Sequence, residues 1–370
     1  MVYNWQQKDW LRFQYDEQKV AQTALRFAEL AGQSVGYLNG LAERNQADTI
    51  VTILVKEAIK TSEIEGEMIS RADVISSIRK NLGFETETHV IKDKRSEGIA
   101  MLLVKSRENF AADLSQEMLF EWHKMLMRGN HSIIAGEWRT HAEPMQVVSG
   151  SIGKEKIHFE APPSVKVPTE MKAFISWFNA SNHDGSSPIE NPIIRSAIAH
   201  LYFETIHPFE DGNGRIGRVI AEKALAQGLK RPILMSLSTA IEAKKKNYYQ
   251  ALQEGQSGNK INNWIQYFGD MILEAQADFI QSIHFLLKKT AFLDAQKSKL
   301  NESQLKVIYR MLNEGEEAFL GGMNARKYQS ISHVSKATAT RHLQDLVDKK
   351  ILVATGNGRN VNYQVNLEMH

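Results

Sequence analysis

Cysteine is absent from the chain, and with it go disulfides, thiolate zinc sites and cysteine nucleophiles, so any chemistry rests on other side chains. Apolar runs of membrane-spanning length are missing too. None approaches the roughly 18 residues such a helix needs, and the opening stretch Met1 to Trp10 lacks the apolar core of a secretory signal. The expectation is a cytoplasmic protein with no membrane contact. An excess of one charge is also lacking: 45 Lys and Arg stand against 43 Asp and Glu, a net charge of +2. That balance gives no broad pull toward nucleic acid or anionic lipid, so any DNA contact has to be local. There is no Gly-x-x-x-x-Gly-Lys-Ser/Thr loop and no kinase-type glycine loop ahead of a lysine strand, which excludes both of those ways of holding phosphate. Strand-like alternation is scarce, and no internal repeat or low-complexity tract occurs.

What the chain has is length, 370 residues, and apolar content, 42%, enough to bury a core and to divide into two or three domains. Apolar residues recur three and four apart, as in Ile50, Ile53, Leu54 and Ala58, or Leu102, Val104 and Phe110, so the fold class is mainly α. The exception is 144–163, where Gln146 to Val148 and Lys156 to Phe159 read as a hairpin turning at Gly150 to Gly153 and closed by Pro162 and Pro163. The reading is an N-terminal helical domain over 1–90, a core over 91–275, a helical connector over 276–299 and a small unit over 300–370. In the last, Leu305, Ile308 and Leu312 share a helix face. Ser335 caps a helix with Ala339, Leu343 and Leu346 inward, and 351–365 forms a two-stranded wing. This order looks like a winged helix. Lys336, Thr338 and Arg341 would face outward with Arg359 at the wing tip, while Asp345 and Asp348 dilute the charge, leaving DNA and protein as alternative partners.

The densest chemistry lies in His207-Pro208-Phe209-Glu210-Asp211-Gly212-Asn213-Gly214-Arg215-Ile216-Gly217-Arg218. Asn191 and Pro192 open a helix that delivers His207. Pro208 disfavours helical backbone at His207, so the chain leaves the helix there and Phe209 can anchor in the core. Gly212 and Gly214 allow positive φ and close approach, and Ile216, Val219 and Ile220 restart a helix. Its first amides and dipole make an anion nest. Arg215 and Arg218 add two forked cations, and Asp211 offers the hard oxygen that magnesium prefers. The set reads as a triphosphate cradle with a base beside it. The tetrapeptide Gly-Asn-Gly-Arg also stands at 356–359, between two strand-like runs, where it reads as a hairpin turn.

His-Pro-Phe-x-Asp-Gly-Asn-Gly-Arg-x-x-Arg resembles the signature of Fic-domain AMP transferases, with every fixed position matched. The resemblance implies a helical core over roughly 115–275, ATP and Mg²⁺, and transfer of AMP to Ser, Thr or Tyr hydroxyls of proteins. His207 would be the general base, Asp211 would hold Mg²⁺, and Asn213 with the amides from Gly212 through Ile216 to Gly217 would cradle phosphates. Arg215 and Arg218 would neutralise the leaving pyrophosphate. Gly214 favours AMP transfer over the phosphate transfer of relatives with lysine there. A flap ahead of the motif pairs with target peptides in this family, which implicates Ile157, His158, Phe159 and Glu160. Tyr248 and Tyr249 resemble the adenine-contacting stretch, with Gln256 standing where relatives carry an asparagine.

Upstream, Thr61-Ser62-Glu63-Ile64-Glu65-Gly66 follows the face Ile50, Ile53, Leu54, Ala58 and Thr61, which puts Glu65 inward and in need of a cation. The pattern resembles the inhibitory helix of many Fic proteins, in which this glutamate pairs with the second arginine, here Arg218. The aromatic cluster Tyr3, Trp5, Trp10, Phe13 and Tyr15 resembles the N-terminal domain often joined to such cores. The resemblance also implies homodimers and self-modification. Two rivals stay open: a nucleotide-sensing DNA-binding regulator, and removal of AMP by the same site.

Overall fold

The computed structural model describes residues 2–84, 89–130, 132–149, 156–313, 322–356 and 361–367. Both expected hairpin turns, Gly150 to Gly153 and the second Gly-Asn-Gly-Arg with Arg359, involve residues outside the described ones. Helices dominate, as the periodicity predicts. In order they are α1 (Ala21–Asn39), α2 (Glu43–Ile64), α3 (Arg71–Asn81), α4 (Lys94–Glu108) and α5 (Gln116–Leu126). The strands β1 (Gln146–Ser149) and β2 (Lys156–Glu160) follow, then α6 (Val167–Ala180), α7 (Pro192–Ile206), α8 (Asn213–Leu229), α9 (Leu237–Ala243), α10 (Lys245–Gly255) and α11 (Asn262–Gln296). The chain forms two compact units, Met1–Phe279 and Ile280–His370, and the division falls within α11.

The first unit is built around α7. Asn191 caps it by accepting from the amides of Ile193 and Ile194 at 3.0 and 3.4 Å, and Pro192 takes the first turn, where its missing N–H costs nothing. The sequence predicts one buried face, but every residue from Ile193 to Ile206 is buried, as befits a helix enclosed on all sides. That includes Arg195, whose guanidinium is satisfied by the carbonyls of Phe178 and Ala224, by Gln227 Oε1 and by Ser181 Oγ. Around α7 a single core joins Phe174, Phe203, Phe209, Ile216 and Trp122 to Val55 and Ala58 of α2 and to Val74 and Ile78 of α3. The helices before residue 90 therefore share a core with those after it.

β1 and β2 pair antiparallel with a register shift between Val147 and Val148. Trp5 Nε1 donates to the Glu160 carbonyl at 2.8 Å, and Tyr3 meets Phe159 edge-on at 5.0 Å. Asn4, fully buried, donates through Nδ2 to Thr205 Oγ1 at 3.3 Å and through its amide to the Gln256 carbonyl at 2.8 Å. Trp10 and Phe13 pack on Tyr202 at 5.4 and 6.1 Å, and Tyr15 is half-buried. The N-terminal aromatics thus brace the hairpin and the end of α7.

The second unit contains α12 (Glu302–Asn313), α13 (Ala325–Ser332), α14 (Lys336–Asp348) and the antiparallel pair β3 (Leu352–Thr355) and β4 (Asn362–Val365). Ile308, Leu312, Ala339, Leu343 and Leu346 lie in its own core with Phe292 and Tyr328, while Leu305 is half-buried. Ser335 Oγ accepts from the Thr338 amide at 3.2 Å, capping α14. Lys336 and Arg341 are exposed and Thr338 is half-buried. Asp345 is engaged by Gln304 Nε2 and Lys349 Nζ, each at 2.7 Å. No helix among the described residues is long and apolar enough to cross a membrane.

Candidate active site

The helix α7 ends at His207, whose backbone turns left-handed at φ 51°. Pro208 makes helical backbone unfavourable there, and the strain of positive φ is held by what surrounds it. Phe209 is fully buried and stacks on the His123 ring at 4.0 Å, which contributes about 1.5–3 kcal/mol of apolar burial. Arg139, also buried, donates to the His207, Ile206 and Pro162 carbonyls and to Ser164 Oγ. Its backbone N–H bonds the Pro208 carbonyl at 2.9 Å. The histidine is fixed from its own backbone outward.

Between His207 and α8 the loop closes on itself. Asn213 Oδ1 accepts from the Phe209 amide at 2.9 Å, and its Nδ2 donates to the Phe209 carbonyl at 2.8 Å. The Asn213 side chain is committed to the loop here. Gly212 has φ +81° and precedes α8, whose first-turn amides point past the helix start. Gly214 lies within α8 and is not among the positive-φ glycines. It matters for its missing side chain, since a Cβ there would collide with Glu65 Oε1. Gly217 makes the same kind of room for Glu204. Ile216 is core. Asp211 is half-exposed, accepts from the Gly212 amide through Oδ1 and lies 3.6 Å from Arg215 Nη2.

Both arginines are buried and both are occupied by the end of α2. Arg218 Nη2 meets Glu65 Oε1 at 2.8 Å and the Thr61 carbonyl at 3.1 Å, and its Nε donates to Thr61 Oγ1 at 2.8 Å. Arg215 Nη1 meets Glu67 Oε2 at 2.7 Å. Burial raises the Glu65 carboxyl, but the charge and hydrogen bond of Arg218, with Arg215 and His207, outweigh it and leave Glu65 below the usual carboxylate range. His207 is pushed down to about 4 by burial and by Arg139.

The adenine candidates separate. Tyr249 is 38% exposed, whereas Tyr248 is buried with its hydroxyl 2.7 Å from His200 Nε2. Gln256 is buried, donating to the Glu204 carbonyl at 3.3 Å. Only Tyr249 of the three is exposed, with its ring edge-on to Tyr248 at 5.2 Å. In the flap, Ile157 is exposed and Phe159 buried. The carbonyls of His158 and Glu160, on one side of β2, accept from Gln253 Nε2 at 3.0 Å and from Trp5. Glu160 Oε2 accepts from Gln146 Nε2 at 2.9 Å.

Residues 113–225, which span this loop and both of its helices, match the sequence model of the Fic/DOC family. They form a Fic/DOC domain. Ahead of it, residues 3–84 match a domain of unknown function, DUF4172. A probable protein adenylyltransferase of Aquifex aeolicus is 33% identical over 101 residues, 27% of each chain. The protein adenylyltransferase Fic of Drosophila willistoni is 24% identical over 66% of this chain and 47% of its own. The chain spans about a quarter of the length of the first curated relatives it matches. Among solved structures, a Fic family protein from Desulfovibrio desulfuricans covers 93% of this chain and 96% of its own, with a TM-score of 0.51 at 19% identity. A Fic domain containing signaling protein from Bacteroides thetaiotaomicron covers 70% of this chain and 97% of its own, with a TM-score of 0.53 at 16% identity. At such identities the likeness is one of fold.

Several site residues escaped the sequence reading. Arg139 lies 68 residues before the histidine it steadies, and His123 lies 84 before it, with no spacing to betray either. His123 accepts from the Gly136 amide at 2.8 Å and lies 3.2 Å from the Asp211 carbonyl. Glu204 carried a signal, since an acid three residues before the histidine sits one helical turn beneath it. Glu67, two residues past Glu65, carried another.

Proposed function

We propose that the Fic domain transfers AMP from ATP to hydroxyl side chains of proteins, Ser, Thr or Tyr, and that Glu65 restrains it. The observation that carries this reading is the placement of His207 at the end of α7 directly before the α8 start, with Arg215 and Arg218 on α8. A base, an anion nest and two cations then serve one triphosphate. The target hydroxyl oxygen attacks the α-phosphorus, the bond to the pyrophosphate oxygen breaks, and the hydroxyl proton passes to His207. Arg215 and Arg218 would offset charge on the leaving pyrophosphate, and Tyr249 would stack on the base.

No cluster of three or more His, Cys, Asp or Glu side chains able to hold a metal is present among the described residues. Asp211 is half-exposed and supplies one carboxylate. That fits Mg²⁺, which is held by one or two carboxylates with phosphate oxygens and water, and which when bound would neutralise phosphate charge. Restraint follows from charge: while Glu65 holds Arg218, the cation is spent, and the carboxylate repels an incoming phosphate. The flap would receive the target along β2, where pairing on the side of His158 and Glu160 replaces the Gln253 and Trp5 contacts. The second unit is read as a winged helix that presents Lys336, Thr338 and Arg341 to DNA or protein, and a homodimer is part of the same proposal.

The test incubates wild type, Glu65→Gly and His207→Ala with Mg²⁺, cell lysate and ATP labelled on the α-phosphate, following protein label and pyrophosphate. Label is expected with Glu65→Gly, at least about tenfold above wild type, and none with His207→Ala. A nucleotide-sensing regulator would release no pyrophosphate and tolerate loss of His207. AMP removal would show as release from prelabelled protein with no incorporation.

A further inference from the structure

One helical turn before His207, the Glu204 side chain points back beneath the imidazole. It is 6% exposed, its Oε2 lies 3.9 Å from His207 Nδ1, and its Oε1 has no hydrogen-bond partner. His207 Nδ1 has none either. Leaving two such atoms unsatisfied costs roughly 1–3 kcal/mol each; Oε1 points toward Gly217, and it is the other carboxylate oxygen, Oε2, that approaches Nδ1, within reach of a small ring rotation. The space is deliberate in the sequence, because a Cβ at Gly217 would collide with Glu204 Oε1 and come within 3.3 Å of His200 Cε1. Among the neighbours, Tyr248 and His200 Nε2 hydrogen-bond each other and Gln256 bonds the Glu204 carbonyl, while that same carbonyl also acts on His207, in the direction that raises its pKa.

We propose that Glu204 is the positioning residue for His207: its carboxylate accepts the Nδ1 proton of the imidazole, which leaves Nε2 bare to receive the hydroxyl proton of the target. The proposal rests on the AMP-transfer reading for its chemistry. The balance is simple. The hydroxyl proton moves to Nε2, the Nδ1 proton stays shared with Glu204, and the resulting imidazolium is matched by an adjacent negative charge. A protonated Glu204 would instead donate to Nδ1 and leave the ring's own proton on Nε2, the tautomer that cannot act as base.

The charged and titratable groups facing Glu204 are His207 and His200 of α7, Tyr248 and Tyr249 of α10, Arg218 of α8 and Glu65 at the end of α2, with Arg139 beside His207. Burial raises Glu204 to about 8, opposed by Arg218 and reinforced by Glu65. The productive form therefore grows as pH rises through that value, and withdrawal of Glu65 lowers it. Releasing the restraint and readying the base are thereby coupled.

The experiment compares full-length Glu65→Gly with Glu65→Gly/Glu204→Gln, measuring α-phosphate label on protein across pH. In parallel, the nitrogen-15 side-chain spectrum of His207, assigned by its loss in His207→Ala, is recorded for wild type and Glu204→Gln. Glutamine keeps the shape and removes the charge. We expect kcat to fall about tenfold or more with KM for ATP within about twofold. The rise through pH 8 should vanish, and the His207 spectrum should shift toward the Nε2-protonated tautomer. Unchanged kcat, pH profile and His207 signals would overturn the proposal. So would a higher KM at constant kcat, which makes Glu204 a support of the nucleotide pocket only. If Glu65→Gly transfers nothing, the AMP-transfer reading fails by itself, and the His207 spectrum still decides whether Glu204 sets the tautomer.

Discussion

Glu204 makes a demand on stability that can be measured apart from activity. Its carboxyl is held at about 8, whereas an unfolded glutamate titrates near 4.3. Below the unfolded value both states carry the proton, and the contribution is fully present. As pH rises toward 8 the unfolded chain gives up a proton that the folded chain keeps, so this contribution is lost through that window, by up to about 1.4 kcal/mol per pH unit. Glu204→Gln has no such proton. Its urea-unfolding free energy relative to wild type should therefore grow between pH 5 and pH 8, and a difference that stays flat across the window would refute the burial argument. Residues at this scale were legible where the chain itself dictates geometry. Pro208 forces His207 out of the helix, and Gly212 permits the positive φ. Asn213, Tyr248 and Gln256 were not, because whether an amide or phenol faces a ligand or the core depends on partners elsewhere: the Phe209 backbone, His200 and the Glu204 carbonyl. An amide in a phosphate motif looks the same in either role.

At the scale of elements, the end of α2 does more than the sequence pattern suggests. Periodicity places Glu65 on the inward face, and the structure adds Glu67, which follows a turn in which its amide bonds the Ser62 carbonyl at 2.9 Å. Two carboxylates thus hold two arginines, each pair at 2.7–2.8 Å. Removing Glu65 frees Arg218 but leaves Arg215 tied, and the two pairs share one helix end, so their effects should not be independent. We expect Glu67→Gln to raise label incorporation only modestly in wild type and about three- to tenfold further in the Glu65→Gly background, with a lower KM for ATP. Should Glu67→Gln lower incorporation in both backgrounds, Glu67 would be orienting Arg215 for the nucleotide and not withholding it. The elements themselves were readable because helical spacing and caps such as Asn191 and Ser335 are local signals. Their mutual placement was not. Nothing in Tyr3, Trp5 or Asn4 shows that these residues reach Phe159, the Glu160 carbonyl and Thr205, since that depends on more than 150 intervening residues folding first.

For the whole molecule, the two units suggest a separation of tasks that a truncation can test. Every side chain assigned to the site lies within Met1–Phe279: His207, Asp211, Arg215 and Arg218, their partners Glu65 and Glu67, the flap and Tyr249. The core cluster around α7 is made of residues between Val51 and Ala224, those of α2, α6 and α8 among them, with Trp10 and Phe13 of the N-terminal segment packed against it. The second unit has its own core around Ile308, Tyr328 and Leu346. The division cuts α11, so a fragment ending at 279 keeps a shortened helix. The buried Phe268, Met271, Ile272, Ala275 and Phe279 remain to anchor it. A Glu65→Gly protein ending at Phe279 should therefore fold cooperatively and carry out label incorporation into itself or a lysate within about twofold of the full-length variant. Loss of incorporation with unfolding intact would mean that the second unit delivers targets to the flap, and DNA would then be the less fitting partner for Lys336 and Arg341. Retained incorporation leaves α14 free to serve a separate binding event, which is what its independent core and its exposed Lys336 and Arg341 favour.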